Sequence, residues 1–272
     1  MRKYLLTAVA AASLSIMSSA AMADQLDDIK KKGTLVCGVL GTSEPFSFPN
    51  PQTREIQGYD VDFCAAIAKS LGVKLEIKPV AVAARIPELL QGRIDIIAAN
   101  LGWTPERAQQ IAYSDSYYAA LQKAAAKRSS NFKTADDLAS KRISSTKGST
   151  SEAAIKAKYP SATSVTFQDP PTAFLAMQQG KADAFVVSEM MLLKLKQQSE
   201  ATQPIEILEP QLSEEKWGIG MKKGETALIN HVNSTLQKME ASAEATAIFN
   251  KWMGDNTEFK MKRGFKIEPI KD

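Results

Sequence analysis

Strand-like and helix-like hydrophobic patterns alternate along most of the chain, in two separate runs. Short apolar runs followed by stripes of period 3.6 mean that each strand is crossed over by a helix, which predicts parallel sheets with helices on both faces. In the first run, strands are expected at 35–40, 74–80 and 95–100, with helices at 59–71 and 85–91 ended by Gly72 and Gly92. A stretch of small residues, 119–127, then reads as extended. The second run places a short capped helix at 134–139, strands at 142–146, 164–167 and 182–187, and helices at 150–158, 171–179 and 189–197. A strand at 217–221 and helices at 227–242 and 245–253 complete the pattern. Two such half-chains predict two α/β lobes, with a cleft where the strand C-terminal ends converge.

The beginning of the chain reads differently. Arg2 and Lys3, an apolar stretch over 4–19 and the small-x-small triplet Ala21-Met22-Ala23 form the pattern of a cleaved secretory signal over residues 1–23. The apolar run is short for a bilayer span, and no cysteine sits at the cleavage point to carry a lipid. Cleavage would remove two basic residues and no acid, leaving 249 residues with 32 basic against 30 acidic side chains. That near-neutral balance has no basic block of the kind that binds nucleic acid or a membrane.

One histidine, His231, and two cysteines argue against a multi-histidine zinc site or a cysteine cluster. Phosphate loops, GxSxG elbows, HExxH and GxGxxG are all missing, so neither a metal nor a cofactor is expected. Export would put Cys37 and Cys64 in an oxidising compartment. Cys37 lies in the first strand and Cys64 on the apolar stripe of the helix after it, which leaves open both a structural disulfide and two buried thiols.

Three loops at strand ends carry polar groups. In Asn100-Leu101-Gly102-Trp103-Thr104-Pro105-Glu106-Arg107, Thr104 reads as an N-cap with proline at the first helical position. Free amides near Gly102 together with the Arg107 fork would suit a carboxylate, and a solvated helix start explains the same letters. In Thr146-Lys147-Gly148-Ser149-Thr150-Ser151-Glu152, hydroxyls and amides at a helix start would suit an anion, and a plain capping box is the commoner reading. In the third loop, Ser188 and Glu189 emerge from an apolar strand, where they also read as the start of the next helix.

The ordered set of these segments resembles bacterial extracytoplasmic solute-binding proteins of the polar amino acid class. It comprises Gly58-Tyr59-Asp60-Val61-Asp62-Phe63, the segment 85–95, Thr104-Pro105-Glu106-Arg107, Tyr113-Ser114-Asp115, the segment 147–152, Gly180-Lys181-Ala182-Asp183-Ala184 and Lys251-Trp252-Met253-Gly254. The resemblance implies a two-lobed periplasmic binding protein of type II with a two-segment hinge, closing on its ligand as such proteins do. Lobe 1 would be discontinuous, 24–123 and 219–272, and lobe 2 would be 124–218. It further implies a monomer in the periplasm that carries an amino acid or related small carboxylate to an ABC permease in the inner membrane.

By the same likeness, Arg107 would bind the ligand carboxylate, with Thr150 and the amides of Gly102 and Ser149. Asn100 would face the ligand, and Arg85 sits where acidic amino acid binders carry an arginine. Phe46, Phe48, Trp103, Tyr117 and Tyr118 are candidate apolar walls or core. The chain departs from its likeness at Ser188, where an aspartate usually pairs with the ligand ammonium, and at Leu40, Ser43 and Val82 in the first lobe. Glu44, Asp169 or Glu189 would then have to supply the counter-charge, because an unpaired buried ammonium costs several kcal/mol. Two rival readings stand beside the captor: an exported dehydratase of prephenate-like acids with Glu189 or Asp169 as general acid, and a ligand sensor without a transporter.

Overall fold

The computed structural model describes residues 25–271, so the expected signal, residues 1–23, lies outside the described residues. The first run of elements is α1 (Gln25–Lys32), β1 (Thr34–Val39), a small ribbon of β2 (Phe48–Pro49) and β3 (Ile56–Gln57), α2 (Tyr59–Leu71), β4 (Lys74–Pro79), α3 (Arg85–Leu90), β5 (Ile96–Ile97) and α4 (Pro105–Gln110). The long strand β6 (Ala112–Lys127) leads into the second run, β7 (Arg142–Thr146), α5 (Thr150–Lys158), β8 (Thr163–Phe167), α6 (Pro170–Gln178), β9 (Ala184–Ser188) and α7 (Glu189–Ser199). A second long strand, β10 (Ile205–Met221), returns to α8 (Thr226–Ala241) and α9 (Glu244–Met253).

The main sheet has the order β4-β1-β5-β10-β6-β9-β7-β8. β1 runs parallel to β4 and β5, and β7 runs parallel to β8 and β9, so each half carries the parallel set that strand-helix alternation predicts. The antiparallel pair β6 and β10 passes through both halves. Its far ends belong to different neighbours, since β5 pairs with Gly220 of β10 and β9 pairs with residues 122–126 of β6.

Local chemistry explains the elements that frame the cleft. The α2 stripe Tyr59, Phe63, Cys64, Ile67, Ala68 and Leu71 is buried at helical spacing. Gly72 then adopts φ 71°, a left-handed cap that lets its N–H reach the carbonyls of Ala68 and Lys69 and ends the helix. Sulfur atoms of Cys37 on β1 and Cys64 on α2 are bonded, which settles the pairing in favour of the disulfide.

Two elements differ from expectation. The strand expected at 95–100 reduces to Ile96 and Ile97, because only these pair with Cys37 and Gly38 before the chain turns at Asn100, whose φ is 51°. Conversely, the strand expected at 217–221 begins at Ile205. Glu206, Glu209, Glu214 and Glu215 fill that earlier stretch and hide its strand character, while β6 supplies its backbone partners from Lys127 to Ala119.

Candidate ligand-binding site

Two strands from each parallel set end at one place. Leu40 follows β1, Asn100 follows β5, Thr146 ends β7 with Ser149–Ser151 after it, and Ser188 closes β9, and all of them line one cavity of about 40 Å³. The two long strands add Gln122, Glu215 and Trp217, while Arg85, Val82, Pro170, Val187 and Met191 complete the wall. A space of this size holds only a few waters, so residues of the two halves stand nearly in contact.

The lining carries polar atoms without partners. Asn100 Oδ1, Thr146 Oγ1 and Ser188 Oγ are buried and accept or donate no hydrogen bond within the protein. Each such atom costs on the order of 1–3 kcal/mol when left unpaired, a cost that a polar ligand bridging the strand ends would relieve.

Arg85 is buried at 3% exposure and donates from Nε to the Val82 carbonyl at 2.9 Å and from Nη1 to the carbonyls of Ala99 and Asn100 at 2.7 and 3.0 Å. Burial, together with the neighbouring Arg107 guanidinium, lowers its pKa to about 9. Two cations held close together at an enclosed polar site favour an anion. Replacing Arg85 with methionine should lower stability by about 2 kcal/mol, because three backbone carbonyls lose their donor while relief of the buried charge offsets part of the loss; urea denaturation of both proteins measures it.

Arg107, on α4, is not among the residues that line the cavity; Thr104 is the N-cap of that helix and accepts from the Arg107 backbone at 3.2 Å, with Pro105 at the first helical position as expected. Its guanidinium donates to the Gly102 carbonyl at 2.7 Å and across the cleft to the Gly148 carbonyl at 2.9 Å. Ser149 caps α5 by accepting from Glu152 N at 3.1 Å, and Glu152 reaches back to Gly148 N at 2.8 Å. A helix cap at Ser149 therefore coexists with a place for Ser149 and Thr150 in the cavity wall, although Glu152 reaches Gly148 N rather than the Ser149 N–H that a full capping box would use.

The Gly102 and Ser149 amides, expected to be free for a carboxylate, donate instead to the carbonyls of Asn100 at 3.2 Å and Thr146 at 3.1 Å, because both loops turn back on themselves, and the remaining sequence candidates lie elsewhere. Glu44 pairs with Lys194 at 3.0 Å, Glu189 with Lys123 at 2.8 Å, and Asp169 caps α6 by accepting from Thr172 N at 2.8 Å. Phe46 is fully buried, its ring 4.8 Å from that of Trp217, so it backs the cavity wall from behind. Phe48 packs on Trp252, and the Tyr117 hydroxyl donates to Asp60 at 2.8 Å.

Asp60, at the start of α2, supports the site. Its carboxylate also accepts from Asn100 N at 3.3 Å and so braces the left-handed turn that delivers the Asn100 side chain. Burial raises its pKa from 3.8 to about 7. The folded protein then keeps a proton that the unfolded chain releases, so this group lowers stability as pH rises from about 4 to about 7. Urea denaturation across that window should show wild type losing stability relative to Asp60→Asn, and parallel curves would contradict the assignment.

Two parallel α/β halves joined by two long strands, with a polar cleft at the strand ends, define a two-lobed binding protein. The chain belongs to the bacterial extracellular solute-binding proteins, family 3, which it matches over residues 35–255. It is 32% identical over 237 residues to the ABC transporter glutamine-binding protein GlnH of Bacillus subtilis (strain 168), covering 86% of each chain. An ancestral arginine-binding protein bound to arginine superposes with a TM-score of 0.77 at 33% identity, covering 82% of this chain and 99% of that one. The ancestral amino acid-binding protein AncCDT-1, a precursor of cyclohexadienyl dehydratase, superposes with a TM-score of 0.78 at 31% identity, covering 85% and 100%. Among the described residues no helix is long and apolar enough to cross a membrane.

Proposed function

We propose that this protein captures an α-amino acid outside the cytoplasm and presents it, unchanged, to an ABC permease in the inner membrane. The observation that carries this reading is the cleft itself: unpartnered Asn100, Thr146 and Ser188 atoms from both halves of the sheet, beside the Arg85 and Arg107 guanidiniums. Lobe 1 comprises 24–123 and 219–272, lobe 2 comprises 124–218, and the ribbon of β6 and β10 is the hinge. Arg107, with Arg85 behind it, takes the carboxylate, giving up its contact to the Gly148 carbonyl as the lobes part and regaining a partner from the ligand. Asn100, Ser149, Thr150 and Ser188 complete the polar lining, and the protein acts as a monomer in the periplasm. Glutamine- and arginine-binding relatives support an amino acid as the ligand.

A dehydratase reading is favoured by one observation, the likeness to AncCDT-1. Its proposed general acids are committed elsewhere, however, Glu189 to Lys123 and Asp169 to the α6 cap. A thermal-shift screen of the protein against the standard L-amino acids and L-cystine tests the captor. A rise of several degrees with one or a few of them is expected, and no rise with any of them would overturn the reading.

A further inference from the structure

An α-amino acid brings an ammonium as well as a carboxylate, and the acids that sequence reasoning offered for it are occupied. Glu44 holds Lys194, Glu189 holds Lys123, and Asp169 caps a helix. Ser188 brings only a hydroxyl. Among the described residues that line the cavity, Glu215 is the one carboxylate.

Glu215 is held in place by its neighbours. Oε1 accepts from Gln122 Nε2 at 2.7 Å and from Trp217 Nε1 at 2.6 Å. Gln122 in turn accepts from the Ser151 hydroxyl at 2.6 Å, which ties the acid on β10 through β6 to the start of α5 in the other half of the sheet. Oε2 lies over Gly102, where a Cβ would come within 2.5 Å of it. The backbone of Gly102 is not in the left-handed region, so a methyl group there would push the carboxylate aside without straining the backbone. Trp217 and Gln122 orient the carboxylate with neutral donors, and among the described residues it forms no direct ion pair, the Arg85 guanidinium acting on it only through the electrostatic field.

We infer that Glu215, seated on Gly102 and oriented by Gln122 and Trp217, is the specificity-determining acid that receives the ligand ammonium in place of the missing acid at Ser188. The inference rests on the amino acid reading above. It makes the cleft a zwitterion receptor, with the arginines for the carboxylate and Glu215, on the long strand β10, for the ammonium. It also explains how the first lobe and the hinge can select amino acids without an acid at the end of β9.

The test is isothermal titration of the full mature protein with L-glutamine, L-arginine and L-glutamate, each paired with the 2-hydroxy acid in which a hydroxyl replaces the ammonium. Wild type should prefer the amino acid that it binds over its hydroxy counterpart by about a hundredfold, and Glu215→Gln should shrink that preference to less than about tenfold. Gly102→Ala, which keeps the charge and displaces the carboxylate, should shrink it likewise and serves the same purpose if Glu215→Gln does not fold. Equal weakening of both members of a pair, or no weakening, would overturn the inference and leave the amino acid reading standing. Where wild type binds none of these three, the same pairs are titrated for the remaining standard L-amino acids and L-cystine, and failure to bind any of them would remove that reading and the inference with it.

Discussion

Replacing Arg107 with methionine is expected to weaken amino acid binding by about a hundredfold while leaving the unfolding midpoint almost unchanged. The side chain is partly exposed, and in the closed cleft it donates to the carbonyls of Gly102 and Gly148, which can turn to water when it is gone. Its loss should therefore cost the fold little, as with most exposed polar contacts. A ligand carboxylate, in contrast, would lose a forked charge-assisted contact inside a site that excludes water, worth about 3 kcal/mol. That converts to roughly two powers of ten in Kd. Isothermal titration and thermal unfolding of the same two preparations measure both halves of the prediction. An unchanged Kd would show that the carboxylate is held elsewhere.

The disulfide should behave in the opposite way. Cys37 and Cys64 are both fully buried and 27 residues apart, and their bond fixes α2 onto β1. Converting both to alanine should lower stability by about 3 kcal/mol through the lost constraint on the unfolded chain. In a domain of this size the loss corresponds to a midpoint roughly 10 °C lower. Affinity should change little, because the strand ends and Arg85 are held by other contacts. Thermal unfolding of Cys37→Ala/Cys64→Ala beside wild type gives the comparison, and equal midpoints would mean that the bond contributes nothing.

Much of the architecture was legible because its cause is local. Gly72 ends α2, Thr104 and Pro105 start α4, and Ser149 caps α5, all from patterns a few residues long. Alternation of strand and helix implied parallel halves, and parallel halves put Asn100, Ser149, Thr150 and Ser188 at strand ends that meet. Arg85, which the likeness put where acidic amino acid binders carry an arginine, is buried in the cavity wall. What stayed hidden depended on partners distant in the chain. Glu44 and Glu189 looked available because Lys194 and Lys123, which neutralise them, cannot be recognised as neighbours from sequence. Glu215, Gln122 and Trp217 lie on the two long strands, and the acidic run of β10 disguised a strand whose main backbone partner is β6. Phe46 could be wall or core by its letter alone, and the ring contacts to Tyr59, Tyr118 and Trp217 decide for core.

The central claim is capture without chemistry, and equilibrium dialysis with recovery of the bound compound tests it most directly. The mature protein is dialysed against a mixture of the standard L-amino acids at micromolar concentrations, and the retained material is released by denaturation and identified by mass spectrometry. The account predicts about one equivalent of an amino acid per protein, recovered unchanged after prolonged incubation, and its absence from the Arg107→Met protein. Recovery of nothing, of a dehydrated or otherwise altered product, or of the same equivalent from the Arg107→Met protein would contradict it.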